Sequence, residues 1–235
     1  MFFKEICKPR LSDFDRTGRL SYEAVLQLLE TVAAHQAESV NDSILRGSRE
    51  GSTWIFVDWR VAICRRPETE EALEVITWAR ERTAAAAVFR DFAVTGEDGE
   101  EILRAEAKFA RLNLQTGRLE RITDELYAAY QPESRAVFPE TAAKLRVPEA
   151  YQEEIPLSLR RSDLDYNGHV HNTRYLELAL EALPAGTELK EFRLLYAKPL
   201  TEGDAVTVKY THNGGICTVG IYGGEILSTL AEFKY

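Results

Sequence analysis

The stretch RLSDFDRTGRLSYEAVLQL (residues 10–28) returns, with changes, as RRSDLDYNGHVHNTRYLEL (residues 160–178). At a constant shift of 150 positions, Arg10, Ser12, Asp13, Asp15, Gly18, Leu26 and Leu28 meet Arg160, Ser162, Asp163, Asp165, Gly168, Leu176 and Leu178. Two later matches follow in the same order, Pro67, Thr69 and Glu70 with Pro199, Thr201 and Glu202, and GEEIL (99–103) with GGEIL (223–227). Matches that keep their order indicate an internal duplication, so we expect two similar halves.

Each copy is predicted to hold one helix followed by antiparallel strands. Apolar residues recur at helical spacing from Ala24 to Val32 and again from Tyr175 to Ala182. Segments rich in β-branched and aromatic residues follow at 54–63, 72–78, 87–94 and 102–114, and then at 192–196, 205–211, 217–222 and 226–235. The sequence therefore predicts an α+β fold, a tandem or double hotdog, in which each half is an antiparallel sheet wrapped round a central helix.

The boundary between the halves is predicted from composition. Residues 122–150 are rich in Pro, Glu and Ala, which is typical of a linker with short helical pieces. We therefore expect one half over residues 1–124, a linker over 125–149 and a second half over 150–235.

The composition excludes several classes of protein. A net charge of −9 argues against a nucleic-acid partner, because phosphate binding draws on an excess of Lys and Arg. The three cysteines are widely spaced and form no CxxC pattern, so we expect free thiols, as in a cytoplasmic protein, with neither disulfides nor zinc. No apolar run is long enough to cross a membrane, and the start does not have the pattern of a signal peptide. We expect a soluble protein with no metal, no other cofactor and no membrane association.

The polar run SDLDYNGHVH (162–171) allows three interpretations, of which the first two are a calcium loop and a structural turn. From Asp163 onwards it begins like an EF-hand loop, but loop position 12, which needs an acid, holds Arg174. Asp, Asn and Gly before a helix are also preferred turn and capping residues. The first copy keeps Asp15 and Gly18 at the matching places, which favours a structural role for part of the motif.

The third interpretation is catalysis by Asp165, Asn167 and His169. These residues alternate, so their carboxylate, amide and imidazole can converge on one side of an extended loop. Such a group can orient an imidazole, polarise a carbonyl or a water, and move a proton, while the start of the following helix offers N–H groups to an oxyanion. The first copy has Thr17 and Arg19 instead of the amide and the imidazole, so the turn forms without them. We interpret the remaining histidines as ordinary: His35, His171 and His212.

RRSDLDYNGHVHNTRYLELALEALP (160–184) resembles the active-site segment of the acyl-acyl-carrier-protein thioesterases, with the pattern R-x-x-D-x-D-x-N-x-H-V-x-N-x-x-Y. Residues 54–113 are similar to the first half of that family, so the resemblance covers nearly the whole chain. It implies a double hotdog hydrolase, without a cofactor, that converts fatty acyl-acyl carrier protein to free fatty acid and holo-carrier protein. Matched on the motif, the catalytic residues of the family fall on Asp165, Asn167 and His169.

The resemblance also implies a division of labour, with an acyl-binding first half and a catalytic second half. Large apolar residues of the first half that are available to line an acyl tunnel are Trp54, Phe56, Trp78 and Phe89. Acyl carrier protein is acidic, so docking would need a basic patch, for which the first half offers Arg46, Arg49, Arg65, Arg66, Arg80, Arg82 and Arg90. A homodimer is compatible with the sequence.

This chain departs from the family at one place. After the tyrosine of the strand that follows the helix, the family often has a carboxylate, whereas Pro199 and Leu200 stand here. The acid that assists the imidazole would then be Asp165, with Glu202 as the next candidate. The departure keeps two alternative functions open, a hydrolase of acyl-CoA or another small thioester, and a non-catalytic acyl-binding hotdog protein.

Overall fold

Residues 1–82 and 87–235 are described by the computed structural model of the chain. They form two compact units. The first contains Met1–Val57 and Ile63–Thr141, and the second contains Asp58–Ala62 and Ala142–Tyr235. Part of a strand from the first half of the chain thus belongs to the second unit.

The first unit combines a mostly antiparallel sheet with one long helix and two short ones. The helices are α1 (Tyr22–Ser39), α2 (Ile44–Arg49) and α3 (Asp124–Ala129). The strands are β1 (Phe3–Cys7), β2 (Ser52–Ile63), β3 (Leu73–Ala79), β4 (Ala87–Thr95), β5 (Glu101–Asn113) and β6 (Leu119–Glu120). Their order is β1-β3-β4-β5-β2, with β6 added to β5, and β1/β3, β3/β4, β4/β5 and β5/β6 are antiparallel pairs.

Helix α1 is the central helix of the first unit. It begins after Ser21, whose Oγ accepts a hydrogen bond of 3.1 Å from the N–H of Ala24, as expected of an N-cap. Most of its apolar residues at the helical spacing seen in the sequence are buried, and Leu28 is half-buried. Near its end, Gln36 Oε1 accepts a hydrogen bond from buried Arg90 of β4, and Arg90 also donates to Thr77 of β3 at 3.3 Å. Thr77 and Arg90 therefore mark the face of the sheet that meets α1.

The second unit repeats this plan with one short helix. It contains α4 (Arg174–Leu180), β7 (Glu153–Leu157), β8 (Glu191–Tyr196), β9 (Val206–Asn213), β10 (Ile216–Gly223) and β11 (Ile226–Lys234). The antiparallel order is β8-β11-β10-β9-β7, residues Asp58–Ala62 of β2 pair with β8, and α4 packs on β10 and β11.

The predicted strands are all present, with ends that differ from the prediction by no more than two residues. Strands β1 and β6 were not predicted from the sequence. Helix α4 is shorter than predicted, because it ends at Leu180 instead of reaching Ala182, and turns closed by Ala182 and Leu183 continue the chain towards Pro184.

Residues 131–141 cover the face of the first sheet that lies opposite α1. Trp78 and Asp91 are the strand neighbours of the two residues that face α1, and successive side chains of a strand point to opposite faces. On this outer face the Trp78 Nε1–H donates to the carbonyl of Arg135 at 2.8 Å. The N–H of Val137 donates to Asp91 Oδ2 at 3.3 Å. The first part of the predicted linker is thus held on the sheet by these hydrogen bonds.

Asp91 is an acid in an unfavourable place for a charge. Its side chain is 0% exposed, and its Oδ1 has no hydrogen-bond partner among the residues described. The nearest guanidinium is that of Arg80, whose Nη1 is 3.7 Å from Asp91 Oδ2 but 2.6 Å from Glu106. Burial raises the pKa of Asp91 to about 7, although the charge of Arg80 partly opposes this shift.

We expect Asp91→Asn to stabilise the protein in a pH-dependent way. Because the folded-state pKa of Asp91 is raised, the folded state loses stability as the pH rises from the ordinary pKa of an aspartate towards about 7. The amide cannot ionise, so the variant should have a higher melting temperature than the parent at about pH 8 and no such advantage at about pH 4. A gain of about 1 kcal/mol corresponds to ~2–4 °C for a chain of this size.

The matched control is Glu97→Gln, which removes the same charge from an exposed turn of the first unit. It should show no comparable pH-dependent gain in thermal unfolding experiments. A melting-temperature difference between Asp91→Asn and the parent that is equal at both pH values would contradict the prediction.

Candidate active site

Asp165, Asn167 and His169 lie on one tight turn shortly before α4. The turn is closed by hydrogen bonds from the N–H of Asp165 to the carbonyl of His169, at 2.7 Å, and from the N–H of Gly168 to the carbonyl of Asp165, at 3.0 Å. Gly168 has a φ of 77°, in the left-handed region that glycine adopts without a Cβ penalty. The structure therefore brings all three predicted catalytic residues together.

The turn directs its polar side chains to one side. Leu164 and Val170 are cross-strand partners, and Val170 is 3% exposed, so it points into the core. Side chains alternate along an extended segment, which places His169 and His171, the two neighbours of Val170, on the opposite side. Asp165 pairs with His169 across the ribbon and shares that side. A carboxylate and two imidazoles therefore lie on one face.

The carboxylate of Asp165 holds the backbone of the turn. Its Oδ1 accepts hydrogen bonds from the N–H of Asn167 at 2.8 Å and from the N–H of His169 at 3.1 Å. Its Oδ2 lies 3.5 Å from Asn167 Nδ2. In the described part of the chain, no hydrogen bond joins this carboxylate to the imidazole of His169. Orientation of the ring by Asp165, as inferred from the sequence, stays a prediction.

The first unit contains the same turn without the amide and the imidazole. Asp15 Oδ1 accepts the N–H of Thr17 at 2.7 Å and the N–H of Arg19 at 3.4 Å, and Gly18 has a φ of 75°. The N–H of Asp15 donates to the carbonyl of Arg19 at 2.8 Å, as at the second turn. The backbone geometry therefore needs only the aspartate and the glycine.

The two aspartates differ in their charged neighbours. Asp15 forms an ion pair with buried Arg66. Partial burial opposes ionisation of Asp15, but hydrogen bonds from Thr17 and Arg66 outweigh it and lower the pKa to about 2. At the matching place of the second half stands Lys198, which is exposed. Across residues 1–82 and 87–235, no basic side chain forms an ion pair with Asp165. The charge of this carboxylate is therefore not neutralised by such a partner.

A loop after β8 supports the back of the turn. His169 is the bridge partner of Thr201, and the N–H of Val170 donates to the carbonyl of Leu200 at 2.9 Å. The N–H of Leu200 in turn donates to the hydroxyl oxygen of Tyr175 on α4, at 2.7 Å. Burial raises the pKa of Tyr175, which keeps the phenol neutral. Helix α4, the loop and the turn are therefore connected by consecutive hydrogen bonds.

The same loop accounts for the residues found where the family often has a carboxylate. Leu200 is 2% exposed, so its side chain belongs to the core, and Pro199 is exposed. Glu202 is exposed in the next turn, where Asp204 Oδ2 accepts the N–H of Thr201 at 2.7 Å. Glu202 is thus one residue from the bridge partner of His169, which sustains it as the second candidate acid.

The start of α4 does not present free N–H groups as we expected. The N–H of Thr173 donates to His171 Nδ1 at 3.4 Å, and that of Arg174 donates to the carbonyl of His171 at 2.9 Å. The N–H of Leu176 donates to the carbonyl of Thr173 at 3.2 Å. For these three groups the prediction of unpaired donors is wrong, because local hydrogen bonds already satisfy them.

Trp54 and Phe56 lie together at one end of β2. The Trp54 Nε1–H donates to Asp42 Oδ2 at 2.8 Å, just beyond the end of α1. Phe109 of β5 joins the two residues, with ring centroids 6.4 Å from Trp54 and 4.5 Å from Phe56. Both residues are half-buried, so this aromatic cluster reaches the surface of the first unit.

Trp78 and Phe89 lie on the other face of the sheet. Trp78 is 0% exposed beneath residues 131–141. Phe89 follows the alternation of β4 to the same outer face and lies between Arg80, 4.5 Å from the ring centroid, and Lys108, 5.8 Å from it. The four aromatic residues predicted to line a tunnel therefore do not form one surface.

Most arginines of the predicted docking patch already interact with neighbouring side chains. Ion pairs join Arg65 to Glu71 and Glu100, Arg66 to Asp15, Arg80 to Glu106, and Arg82 to Asp124, while Arg90 is buried against α1. Arg46 and Arg49 are exposed on α2. Of the arginines in question, these two best fit a docking role.

Residues 1–82 and 87–235 contain neither a metal-binding cluster nor a membrane-spanning helix. No group of three or more His, Cys, Asp or Glu side chains there could hold a metal ion. The helices of these residues lack the combination of length and apolar character needed to span a membrane. An EF-hand needs a helix before its loop, whereas strand β7 precedes the turn. Arg174, at the place of the last calcium ligand, pairs with Glu177 at 2.5 Å.

Comparison with protein families gives one consistent match. Residues 1–130 match the model described as the acyl-ACP thioesterase N-terminal domain, and residues 147–223 match the acyl-ACP thioesterase C-terminal domain. Oleoyl-acyl carrier protein thioesterase 2 of Arabidopsis thaliana is 30% identical over 209 residues, which are 78% of this chain and 56% of that protein. Palmitoyl-acyl carrier protein thioesterase of the same plant is 28% identical over 72% of this chain and 47% of its own length. This chain spans about half the length of these relatives.

Solved structures confirm the predicted tandem hotdog fold. An acyl-ACP thioesterase from Bacteroides thetaiotaomicron superposes with a TM-score of 0.84 and 20% identity over 100% of this chain and 96% of that one. The 12:0-ACP thioesterase from Umbellularia californica gives a TM-score of 0.85 and 22% identity over 99% of this chain and 96% of that one.

The two turns should respond differently to loss of their aspartate charge. Asp15→Asn removes the carboxylate charge that pairs with the guanidinium of Arg66, whose side chain is 5% exposed. Breaking a buried pair in this way costs ~3–5 kcal/mol, and the partial exposure of Asp15 reduces the expected loss to about 1–3 kcal/mol. Asp165→Asn keeps an acceptor for the turn and breaks no ion pair, so its loss should stay within about 0.5 kcal/mol. Denaturant unfolding of both variants measures the difference, and equal losses would show that the ion pair contributes nothing.

Proposed function

Because this chain belongs to the acyl-ACP thioesterase family, we propose that it hydrolyses fatty acyl-acyl carrier protein to free fatty acid and holo-carrier protein. One observation of the site carries the proposal. The second turn repeats the backbone of the first, yet it alone adds Asn167 and His169 and has an aspartate without an ion-pair partner among the residues described. The backbone geometry that both turns share explains the repeated aspartate and glycine. A catalytic role explains the added Asn167 and His169.

The chemistry assigns one role to each polar side chain. His169 takes a proton from water, and the hydroxide adds to the carbonyl carbon of the thioester. Asn167, exposed at the tip of the turn, donates from its amide to the carbonyl oxygen, which becomes an oxyanion. When the bond between carbon and sulfur breaks, the thiolate of the phosphopantetheine arm leaves and takes the proton from His169. The carboxylate of Asp165, on the same face, stabilises the imidazolium in between.

The acyl chain is assigned to the first unit. Trp54 and Phe56 are half-buried, and the ring of each lies against Phe109. Their exposed parts can contact an alkyl chain while the rest of each side chain stays packed. Trp78 and Phe89 were predicted for the same role, and contact of either with the acyl chain remains a prediction. Their place on the outer face favours a structural role instead.

The partner and location follow from charge and from the cysteines. An acidic carrier protein would meet Arg46 and Arg49 on α2, although the chain as a whole carries a net charge of −9. Cys7, Cys64 and Cys217 are free thiols, which supports a reducing compartment such as the cytoplasm.

The decisive experiment measures fatty acid release from acyl carrier protein and from acyl-CoA that carry the same acyl chain. The parent protein should hydrolyse the carrier substrate with the higher kcat/KM. His169→Ala should lower kcat by ~10²- to 10⁴-fold, the usual contribution of a general base, with an unchanged melting temperature. Arg19→Ala, at the matching place of the first turn, is the control and should keep the parent rate.

Each alternative has its own outcome in this experiment. Equal kcat/KM for the two substrates would favour a hydrolase of small thioesters. Binding of both without release of fatty acid would favour an acyl-binding protein. Full activity of His169→Ala would contradict the catalytic assignment.

Substitutions in the aromatic cluster should change which acyl chains are preferred. Trp54→Leu and Phe56→Leu alter the width of the surface offered to the chain, so the ratio of kcat/KM between long and short acyl substrates should shift. Trp78→Phe removes the hydrogen bond to the carbonyl of Arg135, and it should cost about 1–3 kcal/mol of stability without a change in that ratio. A shifted ratio for Trp78→Phe and an unshifted one for the β2 pair would reverse the assignment.

A further inference from the structure

His171 shares the face of the turn that carries the proposed catalytic groups. Val170, between His169 and His171, points into the core, so both imidazoles lie on the side of Asp165. The side chain of His171 is half-buried. Burial lowers its pKa, the carboxylate of Asp165 partly opposes this, and the charge of Arg174 adds to the lowering. The imidazole is therefore neutral at neutral pH.

The contacts of His171 Nδ1 with Thr173 indicate which nitrogen of the ring carries the proton. The backbone N–H of Thr173 donates to His171 Nδ1 at 3.4 Å, and the hydroxyl of Thr173 is 3.1 Å from the same atom. A neutral imidazole has one donor and one acceptor nitrogen, so acceptance at Nδ1 places the proton on Nε2. Within the described residues, Nε2 makes no hydrogen bond. A donor of fixed tautomer is thus available on the catalytic face.

The first turn shows what a purely structural residue looks like at this position. Ser21 stands there, and its Oγ accepts the N–H of Ala24 to cap α1. Serine is among the preferred capping residues, and histidine is not. In the second turn the local contact uses only Nδ1 of His171. Support of the start of α4 therefore explains the contact made by Nδ1, but it gives the Nε2–H no structural role.

We propose that His171 is a further catalytic residue, whose Nε2–H donates to the thioester carbonyl oxygen and to the oxyanion that forms from it. The proposal rests on the function proposed above and completes its chemistry. Local hydrogen bonds take up the N–H groups of Thr173, Arg174 and Leu176 at the start of α4, so these three are not available to the oxyanion and side chains can supply donors in their place. Asn167 and His171 would supply two, and His169 remains the base. A neutral imidazole suits this role because its N–H can approach the oxygen without first losing a proton.

The test uses two substitutions of the same residue. His171→Ser introduces the residue of the first turn, which keeps an acceptor at the helix start and removes the Nε2–H. It should lower kcat by about 10²-fold, the usual effect of losing one oxyanion donor, with little change in KM or melting temperature. His171→Gln carries an amide N–H near the place of Nε2 and should recover a measurable part of that loss.

A matched control and a spectroscopic measurement separate this role from a structural one. Ser21→Ala removes the cap of α1 and should cost about 1 kcal/mol of stability without lowering kcat. Nitrogen NMR of the parent protein should show His171 neutral and protonated at Nε2 at neutral pH. Protonation at Nδ1 would overturn the proposal, and so would a kcat loss in His171→Ser no larger than its loss of folded protein.

The outcomes also distinguish this proposal from the general function. If the parent hydrolyses acyl carrier protein and His171→Ser does so at the parent rate, only the role of His171 is refuted. If the parent releases no fatty acid from either substrate, the proposed function fails, and the role of His171 fails with it.

Discussion

The Oδ1 atom of Asp165 accepts two backbone N–H groups, and the candidate site depends on this contact. It fixes the chain at Asn167 and His169 together with the left-handed Gly168, so a short polar segment keeps one conformation without a regular strand. Once the turn is fixed, buried Val170 sets the alternation and directs both neighbouring histidines to the same face. The placement of the candidate catalytic side chains therefore follows from hydrogen bonds of the local backbone.

The first unit separates the constraint from the chemistry, because it has one without the other. Its turn has the same hydrogen bonds, but Asp15 is neutralised by Arg66 and the reactive amide and imidazole are absent. In the second unit the loop after β8 and Tyr175 supply a different support, made of backbone and phenol contacts that leave the aspartate unpaired among the residues described. The two turns thus differ in what neutralises the carboxylate as well as in the amide and imidazole that only the second turn carries.

Much of this could be predicted from the sequence, and the exceptions have physical reasons. The long strands alternate apolar and polar residues, and the internal duplication repeats the sequence of the turn. The strands and the turn could therefore both be predicted. Strand β1 is short, and its pairing with β3 joins distant parts of the chain. The separation of Trp54 from Trp78 depends on which face of each strand meets α1, which composition does not encode. The use of His171 Nδ1 by a backbone N–H depends on the first turn of α4, and no sequence pattern announces it.

A doubled chain also changes how such a protein can evolve. In an assembly of identical chains, every replacement occurs in each copy, so a residue that strengthens one site must be tolerated in all of them. Here the two turns are encoded separately. A buried arginine that neutralises a reactive aspartate can become established in one half, while the aspartate of the other half stays reactive. The internal duplication therefore allows Asp15 and Asp165 to differ in a way that is inherited.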